Sequence, residues 1–131
     1  MNVVDSSAWL SYFAGDANAK IFSTPIENIE KLIVPSITIT EVFKFVLRQR
    51  GEGMALEAIA HMEQGKAVPL DSSLAIDSAK YGIDYKLPLA DSIIYATGQK
   101  FNALIWTQDS GSPYFCESSF WASKPKFAAK A

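Results

Sequence analysis

The stretch KLIVPSITITEVFKFVLRQRG, from Lys31 to Gly51, changes its pattern within a few residues. Lys31-Leu-Ile-Val-Pro35 is an apolar run of strand length. From Thr38 to Arg50, apolar Val42, Phe43, Val46 and Leu47 recur at i, i+3 and i+4 spacing, which predicts a helix that Gly51 ends. The same alternation continues outward from this unit. Towards the N-terminus, Met1 to Val4 reads as a short strand that stops at Asp5, and Ser6 to Phe13 as a helix ended by Gly15. Towards the C-terminus, Met54 to Gln64 has helical spacing (Leu56, Ile59, Ala60, Met62). Ala67-Val-Pro-Leu70 is a third strand, whose proline suits an edge or a strand end. Ser73 to Tyr85 is helical, Pro88 opens a further helix running to about Phe101, and Ala103-Leu-Ile-Trp-Thr107 is a fourth strand. Strands joined through helices pair in parallel, and their continuous apolar runs predict a sheet covered on both faces. The class is α/β with a central parallel sheet.

At 131 residues the chain is expected to form one domain, over residues 1–123, followed by a short basic tail at 124–131 that carries Lys124, Lys126 and Lys130. Hydrophobic residues make up 49% of it, enough for a packed core and too many for wholesale disorder. Cysteine and histidine occur once each, as Cys116 and His61. An internal disulfide and a structural zinc site are thereby excluded; Cys–His catalysis stays formally open and any Ser-His-Asp arrangement rests wholly on His61, so carboxylates are the expected carriers of any chemistry. No apolar run approaches the ~18 residues that span a bilayer. Asp5 interrupts any early signal-peptide core, so a cytoplasmic location and no membrane partner are expected. Acids number 14 against 12 lysines and arginines, a net charge of −2 that does not advertise a nucleic-acid partner. One local basic patch stands out: Lys44, Arg48 and Arg50, all on the helix that follows the second strand.

Four acids are placed rather than scattered. Ligands of open α/β sheets bind beyond the carboxyl ends of the strands. Asp5 follows the first strand and Asp109 ends the fourth. Glu41 lies early in the helix leaving the second strand. Asp91 is the only charge in Leu87-Pro-Leu-Ala-Asp-Ser-Ile-Ile-Tyr-Ala96, in the first turn of the helix opened by Pro88. Each has an ordinary structural account. Asp5, Ser6 or Ser7 can cap the first helix, and Thr38-Ile-Thr-Glu41 has the form of a capping box. Asp91 can answer a helix dipole, and Asp109 can serve a turn before Gly111. Caps and turns do not account equally well for four segments that bring a carboxylate to one end of the sheet.

Two like charges ~4 Å apart repel by about 4 kcal/mol at an effective dielectric of ~20. Converging carboxylates therefore take up protons or hold a cation. All-oxygen ligation without histidine or cysteine favours Mg²⁺ or Mn²⁺. The reaction class such a site suggests is metal-assisted phosphodiester hydrolysis, with water on the metal as nucleophile.

Val3-Val-Asp-Ser-Ser-Ala-Trp9, the Glu41 helix after Val34-Pro-Ser-Ile-Thr38, Leu87 to Thr97 with its Pro-Leu-Ala-Asp, and Ile105-Trp-Thr-Gln-Asp109 together resemble the PIN-domain ribonucleases. Within that family the likeness is to the VapC-type toxins of toxin–antitoxin pairs. It covers about residues 1–109 in order and spacing. The resemblance implies a three-layer α/β/α sandwich around a parallel sheet of four to five strands. It also implies Mg²⁺- or Mn²⁺-dependent cleavage of an RNA substrate, a homodimer, and a cognate antitoxin that masks the acidic cleft. Carried onto this chain, the catalytic and metal-binding acids are Asp5, Glu41, Asp91 and Asp109, with Ser7 and Thr107 as hydroxyls that hydrogen-bond these carboxylates. Lys44, Arg48 and Arg50 become candidates for RNA contact. After Asp109 the chain departs from the family. Ser110-Gly-Ser112 stands where members often carry another polar or acidic residue, Ser112 being a weak stand-in, and Ser118 to Phe127 has no strand period.

Two other readings compete. A phosphoacceptor receiver domain would use Asp71 as acceptor and Thr107 as switch hydroxyl, but it wants paired acids after the first strand and a lysine after a late one. A catalytically silent PIN-like binding module would keep the fold without needing the four acids. His61 has no partner ligand in the sequence, and Trp9, Tyr12 and Phe13 have the spacing of core or dimer contacts more than of a base-stacking platform.

Overall fold

Successive strand residues face opposite sides of a sheet, and here each side meets its own core. In the computed structural model, which describes residues 1–108, the strands are β1 (Asn2–Val4), β2 (Leu32–Pro35), β3 (Lys66–Val68) and β4 (Leu104–Trp106). The helices are α1 (Ser6–Ala14), α2 (Ala19–Glu27), α3 (Ser36–Arg50), α4 (Glu52–Met62), α5 (Ser72–Tyr85) and α6 (Leu89–Lys100). Val3, Ile33, Val68 and Ile105 pack with Leu74, Leu87, Ile94 and Tyr95 beneath α5 and α6. Val4, Leu32 and Val34 pack on the other side with Trp9, Phe22, Ile26, Val42 and Met62 of α1–α4. The register agrees, since Val3 pairs with both Ile33 and Ile105. The result is the expected three-layer α/β/α sandwich.

All strand pairs are parallel, in the order β3-β2-β1-β4. The chain starts in the middle, steps outward twice, then returns past its start to place β4 beside β1. Right-handed crossovers put the helices of outward and returning steps on opposite faces, which explains why α1–α4 and α5–α6 segregate. The reversal lies between β1 and β4. A crevice opens beyond the carboxyl ends of two such strands, and Asp5 and Thr107 are the first residues after them.

Most expected elements form within two residues of their predicted limits. The proline after β3 does lie at a strand end on an edge strand. Gly15, with φ +65°, ends α1 in the left-handed region and donates its N–H to Ser11 and Tyr12 carbonyls. Two differences matter. Helix α2 and the 3₁₀ turn Ile29–Lys31 were not foreseen. Asn18 provides no side-chain cap and Pro25 sits inside α2, so local signals are weak and burial of Phe22, Pro25 and Ile26 holds it. Helix α3 begins at Ser36 rather than Thr38, because β2 runs through Pro35 straight into it. Thr38 consequently lies within the first turn, its hydroxyl donating to the Pro35 carbonyl at 2.7 Å. The capping box expected of Thr38 and Glu41 does not form. The readings of Asp109, Ser112, a fifth strand and the 124–131 tail fall outside the described residues.

Candidate active site

Asp5 has two jobs at the end of β1. Its backbone N–H donates to the Trp106 carbonyl at 3.0 Å, tying β1 to β4 at the crevice. Its side chain caps α1, Oδ1 accepting from the Ala8 N–H at 3.0 Å. The same oxygen accepts from the Ser7 hydroxyl at 2.7 Å, and the Thr107 side chain also hydrogen-bonds this carboxylate. Asp5 is only 5% exposed. Burial pushes its pKa above the ordinary carboxylate range; the hydrogen bonds from Thr107, Ser7 and Ala8 pull it down, and the charge of Asp91 pushes it further up. The cap is therefore real, and it leaves a buried carboxylate whose charge is poorly compensated by protein alone.

Asp91 lies in the first turn of α6, half-buried and near enough for its charge to act on Asp5. Glu41 is the sixth residue of α3, one turn deeper than expected. Its Oε1 accepts from the Ser6 hydroxyl at 2.6 Å. Because Ser6 follows Asp5 directly, this bond brings Glu41 to the same end of the sheet. Asp5 and Asp91 thus share the crevice from β1 and α6, Glu41 is tied through Ser6 to the same end of the sheet from α3, and Asp109 lies outside the described residues. Sequence reasoning missed Ser6 in this role, seeing it only as an alternative cap. The partner is 35 residues away, so no local signal reveals it.

Among the described residues no three His, Cys, Asp or Glu side chains close into a metal cage. The donors nevertheless fit a hard cation. They are all oxygen, one is buried and in the field of a second acid, and Mg²⁺ characteristically takes one or two carboxylates while keeping waters and substrate oxygens. Among the described residues the sole imidazole, His61, packs against Trp9, Tyr12 and Phe13 instead.

The basic patch is split. Relative to Glu41, Arg48 at i+7 lies almost in line and Lys44 at i+3 lies nearby on the same helix face, both exposed. Arg50 at i+9 points to the opposite side, one end of the helix further on. It lines an apolar groove of about 500 Å³ with Phe13, Phe45, Met54 and His61, and none of the three described acids borders that groove. His61 packs edge-on against Trp9, Tyr12 and Phe13. Trp9 is fully buried, a core residue rather than a stacking platform. Asp71 caps α5, accepting from the Leu74 N–H at 2.8 Å.

A parallel sheet in the order 3-2-1-4, with Asp5 buried at the end of β1 in the field of Asp91, defines an α/β protein with a carboxylate at its β1–β4 crevice. The chain belongs to the PIN-domain family, whose model matches residues 3–116. The fold is shared with FitAcB from Neisseria gonorrhoeae (TM-score 0.70, 20% identity, covering 98% of this chain and 97% of that one). It is shared also with a toxin–antitoxin complex from Klebsiella pneumoniae (0.69, 22%, 84% and 88%). A third similar structure is VapC20 from Mycobacterium tuberculosis, a sarcin–ricin loop cleaving toxin (0.69, 15%, 84% and 91%). No curated protein sequence matches the chain. Family membership and the capping role of Asp71 together leave the receiver reading without support. Among the described residues no helix is long and apolar enough to cross a membrane.

Proposed function

We propose that this chain is a divalent-metal-dependent endoribonuclease and the toxin of a VapBC-type toxin–antitoxin pair. Asp5, Glu41, Asp91 and Asp109 are its metal-binding acids. The observation that carries the reading is the state of Asp5: a carboxylate 5% exposed, shifted towards protonation by burial, with the charge of Asp91 adding to the shift. A nearby cation relieves that state and recruits a polyanion. Mg²⁺ or Mn²⁺ held by these acids would supply positive charge to a bound phosphate and would lower the pKa of a nearby water.

The chain's own residues prepare the site. Ser7 and Thr107 hold the Asp5 carboxylate in one orientation through hydrogen bonds, Ser6 does the same for Glu41, and the Trp106 carbonyl anchors the Asp5 backbone. Lys44 and Arg48, on the Glu41 face of α3, face the path of an RNA backbone; RNA chemistry is favoured by the VapC20 likeness and the family. A cognate antitoxin, a homodimer and a cytoplasmic location complete the reading, the first supported by structural neighbours solved as toxin–antitoxin complexes.

The test is cleavage of a structured RNA by the full chain with Mg²⁺ or Mn²⁺. Cleavage that EDTA abolishes, and that Asp5→Asn and Asp91→Asn each reduce by more than about 100-fold, is expected, since even partners behind metal ligands are worth 10–100-fold. Full activity in either folded variant overturns the assignment; a well-folded protein that binds RNA and never cuts it supports the silent binding module instead.

A further inference from the structure

Helix α5 is apolar on two nearly opposite sides. Leu74, Ser78, Tyr81 and Tyr85, at steps of four and three, turn inward: Leu74 and Ser78 are buried, and the two tyrosines pack on the core beneath α5 and α6. Ile76, Ala79 and Ile83 repeat at the same steps on the other side of the helix, and all three are exposed. Ile76 is 58% exposed and Ile83 79%, the highest value of any large apolar side chain among the described residues. A helix with one apolar stripe packs on one core, whereas a helix apolar on both sides is built to lie between two partners. Among the described residues only the inner side of α5 has its partner.

The charges beside the stripe select what covers it. From Ser72 to Lys86 they are Asp77, Asp84, Lys80 and Lys86, all exposed and two of each sign. Such a surface neither attracts a polyanion such as RNA nor repels its own copy. Symmetry favours the copy further. Ile76 and Ile83 lie on either side of Ala79, so a twofold axis sets the two isoleucines of one chain against the two of another in either helix direction. The small Ala79 side chain between them lets the backbones approach. An apolar centre edged by charge is the make-up of a protein interface. A stable dimer buries about 800 Å² per copy, more than one helix stripe supplies. Leu89, 77% exposed, is the next exposed large apolar residue along the chain, at the start of α6 and two residues before Asp91. We propose that the outer face of α5, centred on Ile76, Ala79 and Ile83, is the surface through which two copies of this chain associate. The inference rests on the reading above for its homodimer and on none of its metal chemistry.

The experiment is sedimentation velocity of the full chain across a concentration series, with thermal melts of the same samples. The expected result is a dimer at micromolar concentrations, with association weakened by more than about 10-fold in Ile76→Glu and in Ile83→Glu. Leu56→Glu, at a 54% exposed position of α4, should associate as the parent does. The parent's melting temperature should rise with concentration and that of Ile83→Glu should not. Ala79→Cys in a Cys116→Ser chain should join two copies by a disulfide on oxidation, a readout that leaves both isoleucines in place. A parent that stays monomeric overturns the inference and leaves the acidic site standing, as does a dimer that Ile76→Glu and Ile83→Glu leave intact. A melting deficit of the same size at every concentration in Ile83→Glu also overturns it, because the stripe is then covered within one chain by residues 109–131. A dimeric parent that never cleaves RNA overturns the proposed function and leaves this interface standing.

Discussion

The Ser6 hydroxyl donates to Glu41 Oε1 at 2.6 Å, joining the first turn of α1 to the second turn of α3. Removing it frees the Glu41 side chain to adopt other rotamers while leaving the carboxylate in place. Ser6→Ala is expected to lower stability by about 1 kcal/mol, the usual worth of such a bond, and to weaken Mn²⁺ binding by about 10-fold. Urea denaturation and calorimetric titration check the two effects separately, and unchanged metal affinity would detach Glu41 from the site.

Asp5 makes stability depend on pH in an unusual direction. Its folded pKa is raised by burial above the unfolded value of 3.8, so in that window the folded state binds more protons than the unfolded one. Stability from this group is fully present below 3.8 and is lost as pH rises through the raised pKa. In metal-free protein, Asp5→Asn should therefore melt higher than the parent at neutral pH, by about 3 °C or more, and the gap should close towards pH 4. Added Mn²⁺ should stabilise the parent and not the variant. Thermal melts across pH, with and without the metal, decide this; a gap that widens towards acid would contradict the buried-charge account.

Gly65 closes the turn into β3 against Leu32. A Cβ built there would meet Leu32 Cγ at 2.8 Å and its carbonyl oxygen at 3.0 Å. The backbone contact has no flexible end to move aside, so Gly65→Ala should destabilise the fold by about 1–3 kcal/mol. The shift in urea midpoint measures it, and with the site distant, cleavage per folded molecule should be unchanged.

Helix geometry separates the three basic residues of α3. Arg48 and Lys44 share the Glu41 face, whereas Arg50 lines the apolar groove. Lys44→Ala and Arg48→Ala should each weaken binding of a non-cleaved RNA and lower the salt slope by about 1 per lost phosphate contact. Arg50→Ala should do neither. Fluorescence titration at several salt concentrations distinguishes them, and equal effects at all three would place the RNA path elsewhere.

How far the chain could be read without coordinates differs by feature. The four strands, five of the six helices and the end of the sheet where the acids gather follow from periodicity and from breakers such as Gly15, Pro69 and Pro88. These signals are local, and a strand or helix must bury the face that its own period presents. Helix α2 escaped because Pro25 interrupts it and Asn18 offers no side-chain cap, so its stability comes from Phe22 and Ile26 in a core assembled by other segments.

Composition alone also narrowed the chemistry open to the site: with one histidine and one cysteine, a site built mainly from oxygen donors is the expected one. What the tertiary structure decided is how those donors are held. The sequence offered Ser6, Ser7 and Asp5 as interchangeable caps and paired Thr38 with Glu41. The fold made Asp5 the cap, turned Ser7 to Asp5, sent Ser6 across to Glu41, and left Thr38 bonded to Pro35. A short polar side chain can satisfy its hydrogen bond locally or across the fold. Which it does depends on where a distant helix docks, and that distance is written in packing rather than in spacing.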